Sequence, residues 1–142
     1  MYNKHTIHHY FFISALVTIF TLGCMWGAIN LLMIGLEENF HSIDYSWVLA
    51  HGHAMVFGFV GLFIMGFSYR ALPHFMKTTL WKPKLALSTL PIMIFGILLQ
   101  AYAHVIAPRQ PYLLLGISAG IIQIIAVVIF ALVIARTMQS AT

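Results

Sequence analysis

The sequence has very few charged side chains: they make up 7% of its 142 residues, with seven basic residues and only three acidic ones. An ordinary soluble domain carries about 25% charged residues. So few charges cannot cover the water-facing surface of a domain of this size, which excludes a soluble fold, a coiled coil and a disordered chain. Since 61% of the residues are hydrophobic and the mean hydropathy is +0.94, we predict an integral membrane protein embedded in a lipid bilayer.

Cysteine and catalytic motifs are equally scarce. Cys24 is the single cysteine, so the chain can form no internal disulfide, and we expect it to be a small buried hydrophobe. The net charge of +4 comes from cations that form no single patch, which argues against a nucleic-acid partner. The sequence contains no Ser-His-Asp set, phosphate-binding loop or CxxC pair. It therefore names no catalytic residue and leaves enzymatic activity open.

Four segments are apolar and long enough to cross a bilayer as helices, which takes about 20 residues. They run from about residue 10 to 34, about 47 to 69, about 85 to 106 and about 112 to 135. Lipid offers the backbone no hydrogen-bond partner, so each span is expected to be helical, and short connections make neighbouring helices antiparallel. The predicted fold is all-α, with a single four-helix transmembrane domain over residues 1–142. A cleaved signal peptide in place of the first span is disfavoured because that apolar stretch is too long.

The basic residues predict the orientation of the spans. Six of the seven Lys and Arg residues lie on one side of the membrane, whereas Arg109 lies on the other side together with all three acids. We therefore predict a protein of the cell's inner (cytoplasmic) membrane, and the positive-inside rule places both of its termini in the cytoplasm. Aromatic residues at the span ends are predicted to lie at the membrane interface: Trp47, Tyr69, Trp81 and Tyr112.

Histidine is unusually frequent, with eight residues in the chain. His51 and His53 lie near the outer end of the second span, and His104 lies at a similar depth in the third, which runs in the opposite direction. Residues two apart on a helix differ by about 200° in azimuth, so His51 and His53 point to opposite faces and cannot chelate one ion. Such a pair suits axial ligation of iron porphyrins in two different pockets. The alternative is that these histidines only pack or form hydrogen bonds between helices.

Neighbouring residues complete the predicted haem pocket. Gly52 and Gly58 are expected to make room for the edges of the macrocycle, and Met55 is expected to supply part of an apolar wall. Gln100 and Gln123 are predicted to form hydrogen bonds between helices. The remaining histidines are expected to be solvated surface side chains: His5, His8, His9, His41 and His74.

The stretch AHGHAMVFGFVGLFIMGFSYRALPHF, Ala50–Phe75, resembles the histidine-bearing helices of subunit I of the haem-copper oxidase and nitric oxide reductase superfamily. It is also similar to the HxHxMxFGF helix of the NnrS membrane proteins. The resemblance covers about a fifth of the chain and implies that His51 and His53 are axial ligands of haem b, with copper as a second candidate cofactor. The sequence lacks the adjacent His-His pair of the family's copper centre. The resemblance therefore supports haem binding better than oxygen reduction.

The family's catalytic subunit has about twelve helices in three similar arcs, whereas this chain has four predicted spans. We therefore predict a homotrimer in which each haem is shared by two chains, since closed ring symmetry satisfies such a contact. The predicted function is a b-type haem protein with bis-histidine haem that transfers electrons with an unidentified redox partner or responds to a gas such as NO or O2.

Three alternatives remain open. One is a haem-copper-like catalytic or NO-binding centre in which His104 completes a metal site. Another is a non-catalytic accessory membrane subunit. The third, a transporter, is weaker because no carboxylate lies within a span.

Overall fold

The computed structural model describes residues 6–140, and this part of the chain contains four long helices. In chain order they are α1 Ile7–Glu37, α2 Tyr45–Phe75, α3 Pro83–Ile106 and α4 Tyr112–Gln139. A short 3-10 turn, Phe40–Ser42, lies between α1 and α2. All four helices are long and apolar enough to cross a membrane, which confirms the predicted all-helical membrane bundle.

The helices are longer than the apolar segments from which they were predicted. α1 and α2 have 31 residues each, or about 46 Å at about 1.5 Å per residue, whereas the hydrocarbon layer is about 30 Å thick. Their last turns therefore reach the headgroup layers, where polar residues continue the helix. Pro73 lies inside the last turn of α2, where its ring costs the helix a backbone hydrogen bond.

Local signals set the starts of α2 and α3. The side chain of Asp44 accepts a hydrogen bond from the backbone N–H of Ser46 at 3.0 Å, which satisfies a free donor of the first turn of α2. The same hydrogen bond lowers the pKa of the Asp44 carboxyl group. Pro83 occupies the first position of α3, which favours proline because no N–H is needed there. With α2 beginning at Tyr45, His51 lies about 9 Å further along the helix axis.

The α2 helix contacts each of the other three helices, and its contact with α1 is the most extensive. The α1 helix packs mainly on α2, and the α4 helix packs mainly on α3. Glycines allow close approaches between the helices, as two examples show. A Cβ at Gly66 would lie 2.6 Å from Cβ of Phe11 on α1, and a Cβ at Gly96 on α3 would lie 2.6 Å from Cγ of Gln123 on α4.

We name the two ends of the bundle by their charges. The acidic end carries Glu37, Glu38 and Asp44, and it includes the start of α2 and the end of α3. The basic end includes the start of α1, the end of α2 and the segment that leads into α3, with Arg70 and Lys77.

Most large apolar side chains face outward, as expected for a protein surrounded by lipid. Only 11% of the most apolar stretch of α1 is buried, and even for α3 the share is 33%. Cys24 is exposed on this outer surface of α1, so the expectation that it is buried is wrong. Its apolar surroundings in the sequence reflect contact with lipid and not with the core.

At the basic end an aromatic cluster joins three helices. The Tyr69 ring makes edge contacts with Phe11 and Phe130, each with ring centroids 5.3 Å apart. Its hydroxyl group lies 3.1 Å from Oγ1 of Thr89. Tyr69 is 4% exposed, so the prediction that it anchors the membrane interface is wrong. Since α2 continues past it to Phe75, Tyr69 lies in the core and not at a helix end.

The Gly66→Ala variant tests the close approach of α1 and α2. The added Cβ would also lie 3.3 Å from the backbone oxygen of His8, so α1 has to move away. We expect a loss of about 1–3 kcal/mol of unfolding free energy, as for other overpacked sites. Thermal unfolding of the detergent-purified protein measures it. Gly120→Ala is the matched control because nothing lies within 4 Å of its Cβ, and equal losses in the two variants would contradict the packing.

Candidate functional site

His51 and His53 lie in the α-helical part of α2, directly before a π-helical stretch, Ala54–Gly61. The His51 ring lies against α1, where its nearest neighbours include Leu22 and Gly27. The His53 ring lies on the side of α3 and α4, where it contacts Gln123. The two rings therefore point to opposite sides of α2, as their spacing predicts, and both sides are covered by helices of the same chain.

The His51 ring is half-buried and is oriented by α1. Its Nδ1 atom lies 3.2 Å from the backbone oxygen of Leu22. A carbonyl oxygen only accepts hydrogen bonds, so Nδ1 carries the proton and Nε2 keeps its lone pair. The ring fits beside Gly27, where a Cβ would lie 3.0 Å from Cε1 of His51. This geometry leaves one nitrogen of His51 with the chemistry of a metal ligand.

The environment of His53 is different because its Nε2 atom already has a partner. It lies 2.8 Å from Oε1 of Gln123, and Nε2 of Gln123 donates to the backbone oxygen of Gly96 at 3.1 Å. The Gln123 side chain is 4% exposed, and the His53 ring stacks on Phe57 with centroids 4.5 Å apart. The prediction that Gln123 forms hydrogen bonds between helices is confirmed. This chain of hydrogen bonds links α2, α4 and α3 at one level of the bundle.

His104 lies in the last turn of α3 and is half-buried. Its Nε2 atom accepts a hydrogen bond at 3.1 Å from the side-chain amide of Gln100, one turn earlier on the same helix. Gln100 therefore bonds within α3, and the prediction of an interhelical bond from this residue is wrong. Among residues 6–140 no group of three His, Cys, Asp or Glu side chains is placed to hold a metal ion. Copper at His104 stays a prediction.

The residues predicted to make room for a macrocycle have different surroundings. Gly52 is exposed, and nothing lies within 4 Å of the position of a Cβ. Gly58 is buried against Thr18 of α1. The sulfur of Met55 packs against Gly23 of α1, where an added Cβ would lie 2.6 Å from it. Gly58 and Met55 therefore serve the contact between α1 and α2. Of the two glycines predicted to make room for a macrocycle, Gly52 has open space beside it and Gly58 does not.

Two features of the site have no signal in the hydropathy pattern. The first is a pair of π-helical stretches, Ile19–Met25 in α1 and Ala54–Gly61 in α2, which contact each other. Wider helical turns of this kind are frequent at functional sites. The oxygen that accepts the His51 hydrogen bond belongs to Leu22, inside the first stretch.

The second feature is a set of buried polar atoms that have no hydrogen-bond partner among the described residues. They are Nε1 of Trp26, Oδ1 of Asn30, and the hydroxyl oxygens of Ser42 and Ser46. All four belong to the acidic end of α1 and α2 and the turn between them, the same part of the bundle as His51. Buried polar groups normally have a partner, so each of these atoms is free to bind one.

No protein-family model, no curated protein and no solved structure matches this chain.

The Gln123→Leu variant tests the hydrogen-bonded link around His53. It leaves Nε2 of His53 without its partner and removes the additional hydrogen bond that the Gly96 oxygen accepts from Gln123, so we expect a loss of about 1–2 kcal/mol of unfolding free energy. Thermal unfolding in detergent measures the change. Gln100→Leu is the matched control, with a smaller loss expected because the bond that it removes joins residues of one helix near the surface. A loss no greater than that of the control would show that the link is not stabilising.

Proposed function

We propose that this chain is a membrane-embedded haem b protein that transfers electrons, with His51 as an axial ligand of the iron. The observation that carries the proposal is the contact between Nδ1 of His51 and the backbone oxygen of Leu22. Histidines that bind metals usually donate one ring N–H to a carbonyl or carboxylate and face the metal with the other nitrogen. The tautomer that Leu22 selects at His51 leaves Nε2 available for iron.

Two features of the surroundings of His51 bear on the proposed haem. The imidazole fills the space that the absent side chain of Gly27 leaves on α1, so this glycine allows the ring to keep its present position. The unpartnered N–H of Trp26, the residue before Gly27, is a donor suited to a haem propionate. When bound, the haem supplies a one-electron redox couple. The protein's part is to hold the His51 ring in one tautomer and one orientation.

The second axial ligand in this proposal comes from another copy of the chain. In the predicted homotrimer it is His53, and three four-helix units then resemble one twelve-helix subunit. As it stands, the His53 ring does not fit ligation through Nε2, because that atom is bonded to Gln123. Ligation by His53 requires the ring to exchange Gln123 for iron, so His53 is the weaker of the two assignments.

The proposed location is the cytoplasmic membrane, with both termini in the cytoplasm. Six of the seven Lys and Arg residues flank the basic end, and the three acids flank the other end. The positive-inside rule then orients the basic end toward the cytoplasm. His51 and the unpartnered polar atoms near it lie on the outer side in this orientation.

A second candidate function is a non-catalytic accessory membrane subunit. The hydrogen bonds of His53 with Gln123 and of His104 with Gln100 favour it, because both give a histidine a structural role inside one chain. The unused Nε2 of His51 and the unpartnered atoms near it favour the haem protein.

The reduced-minus-oxidised absorption spectrum of the purified protein tests the haem. We expect haem b bands from the unmodified protein produced in cells supplied with a haem precursor, and their loss in His51→Ala because the iron loses its ligand. His41→Ala is the matched control, since this histidine is exposed in the turn between α1 and α2 and its loss leaves the bands intact.

The same preparations distinguish the alternatives. Absence of haem bands, or bands unaltered in His51→Ala, overturns the proposal, and protein free of iron and copper selects the accessory subunit. With two histidines on the iron, carbon monoxide added to the reduced protein leaves the spectrum unchanged. A prompt spectral shift selects a gas-binding or catalytic centre with an open coordination position.

The mass of the assembly tests the proposed trimer. We expect three chains per particle in multi-angle light scattering of the detergent-solubilised protein, after subtraction of the detergent. In His53→Ala we expect the haem to lose its second histidine, which converts the iron to a form that binds carbon monoxide. A particle of one chain that keeps six-coordinate haem would contradict sharing between chains.

A further inference from the structure

A cavity of about 920 Å³ opens at the basic end, far along α2 from His51. It is formed by the start of α1, the end of α2 and the segment that leads into α3. Sites for small molecules in proteins typically enclose about 300–1,000 Å³. This cavity is therefore large enough for a ligand much bigger than a water molecule.

Basic side chains form part of the polar lining of the cavity, and hydroxyl groups form the rest. Arg70 and His74 of α2 lie in its wall together with His8 and His9 of α1. His8 was expected to be a solvated surface side chain, but it is 6% exposed, with its ring 4.0 Å from that of His9. Arginine presents only donors to a ligand, and a neutral histidine still offers one ring N–H.

No acidic side chain lies at this end of the bundle. The three acids of the whole sequence, Glu37, Glu38 and Asp44, all lie at the acidic end. Lys77, Lys82 and Lys84 add further positive charge in and beside the segment between α2 and α3. An anionic ligand therefore complements the cavity. The cluster does not fit a metal ion, because no metal-binding group of three such side chains exists among the described residues.

The rest of the lining is apolar and continues onto the lipid-facing surface. Phe12, Phe67, Phe75 and Leu80 are among the wall residues. Phe67 is 54% exposed and Phe75 is 74% exposed, so one side of the wall is part of the outer surface of the bundle. A ligand that fills this cavity needs an anionic group for Arg70 and the histidines and an apolar part for the aromatic wall.

We propose that the cavity binds the phosphate headgroup of an anionic phospholipid, with its acyl chains along Phe67 and Phe75. Its position supports this occupant, because the ends of the apolar helices lie at the headgroup layer of the bilayer. Basic pockets between membrane helices on the cytoplasmic side are typical sites for anionic headgroups. The inference is independent of the haem and of the number of chains in the assembly.

Native mass spectrometry of the full-length protein in detergent, titrated with phosphatidylglycerol, tests the site. We expect one retained phosphatidylglycerol per chain and an apparent affinity about fivefold lower in Arg70→Gln, the effect of one surface cation on an anionic lipid. Arg70→Lys keeps the charge and restores most of the binding. Arg136→Gln is the matched control: it removes a cation from the same end, but Arg136 does not line the cavity, so binding is retained.

Three results would overturn the inference. Phosphatidylcholine retained as well as phosphatidylglycerol shows that charge is not recognised. Inorganic phosphate that competes fully at millimolar concentration shows a site for a free anion instead of a lipid. Equal losses in Arg70→Gln and Arg136→Gln show attraction to the whole basic end and not to the cavity.

Discussion

An imidazole at membrane depth has to find a partner for its polar N–H inside the protein, because lipid offers none. This requirement shapes the acidic half of the bundle. His51 and His53 are two residues apart on α2 and so face opposite sides, and each side needs a helix that supplies an acceptor. The α1 helix supplies the Leu22 oxygen to His51, and α4 supplies Gln123 to His53. The HxH sequence thus needs hydrogen-bond partners on two sides of α2, and α1 and α4 provide them.

The two partners leave different ring nitrogens of the two histidines available to a ligand. The Leu22 oxygen accepts a hydrogen bond from Nδ1 of His51, so Nε2, the nitrogen furthest from the backbone, stays free. In His53 it is Nε2 that is bonded, to Gln123. The two residues look equivalent in sequence, but the free nitrogen is Nε2 in His51 and Nδ1, the atom nearer the backbone, in His53. The haem proposal rests on this difference. The resemblance to oxidase helices treats both residues alike and cannot show it.

The sequence alone predicts the features that follow from hydropathy and from the regular geometry of a helix. Four long apolar segments are enough to predict four spans, and helical geometry is enough to predict that His51 and His53 diverge. Contacts between distant residues escape such reasoning: Gln123 is 70 positions from His53, and no local pattern pairs them. Burial of His8 depends on how the start of α1 lies against the end of α2. The π-helical stretches are likewise a property of the packed pair α1 and α2, because their residues are as apolar as those of an ordinary span.

A density map of the purified assembly in lipid nanodiscs tests the central claim most directly. The account predicts planar density for a prosthetic group next to Nε2 of His51. A histidine of a neighbouring chain is expected on the other side of that density. The Leu22 oxygen should still accept the His51 hydrogen bond in that map. Density that shows the His51 ring enclosed only by side chains of its own protomer, with no prosthetic group beside it, would contradict the account.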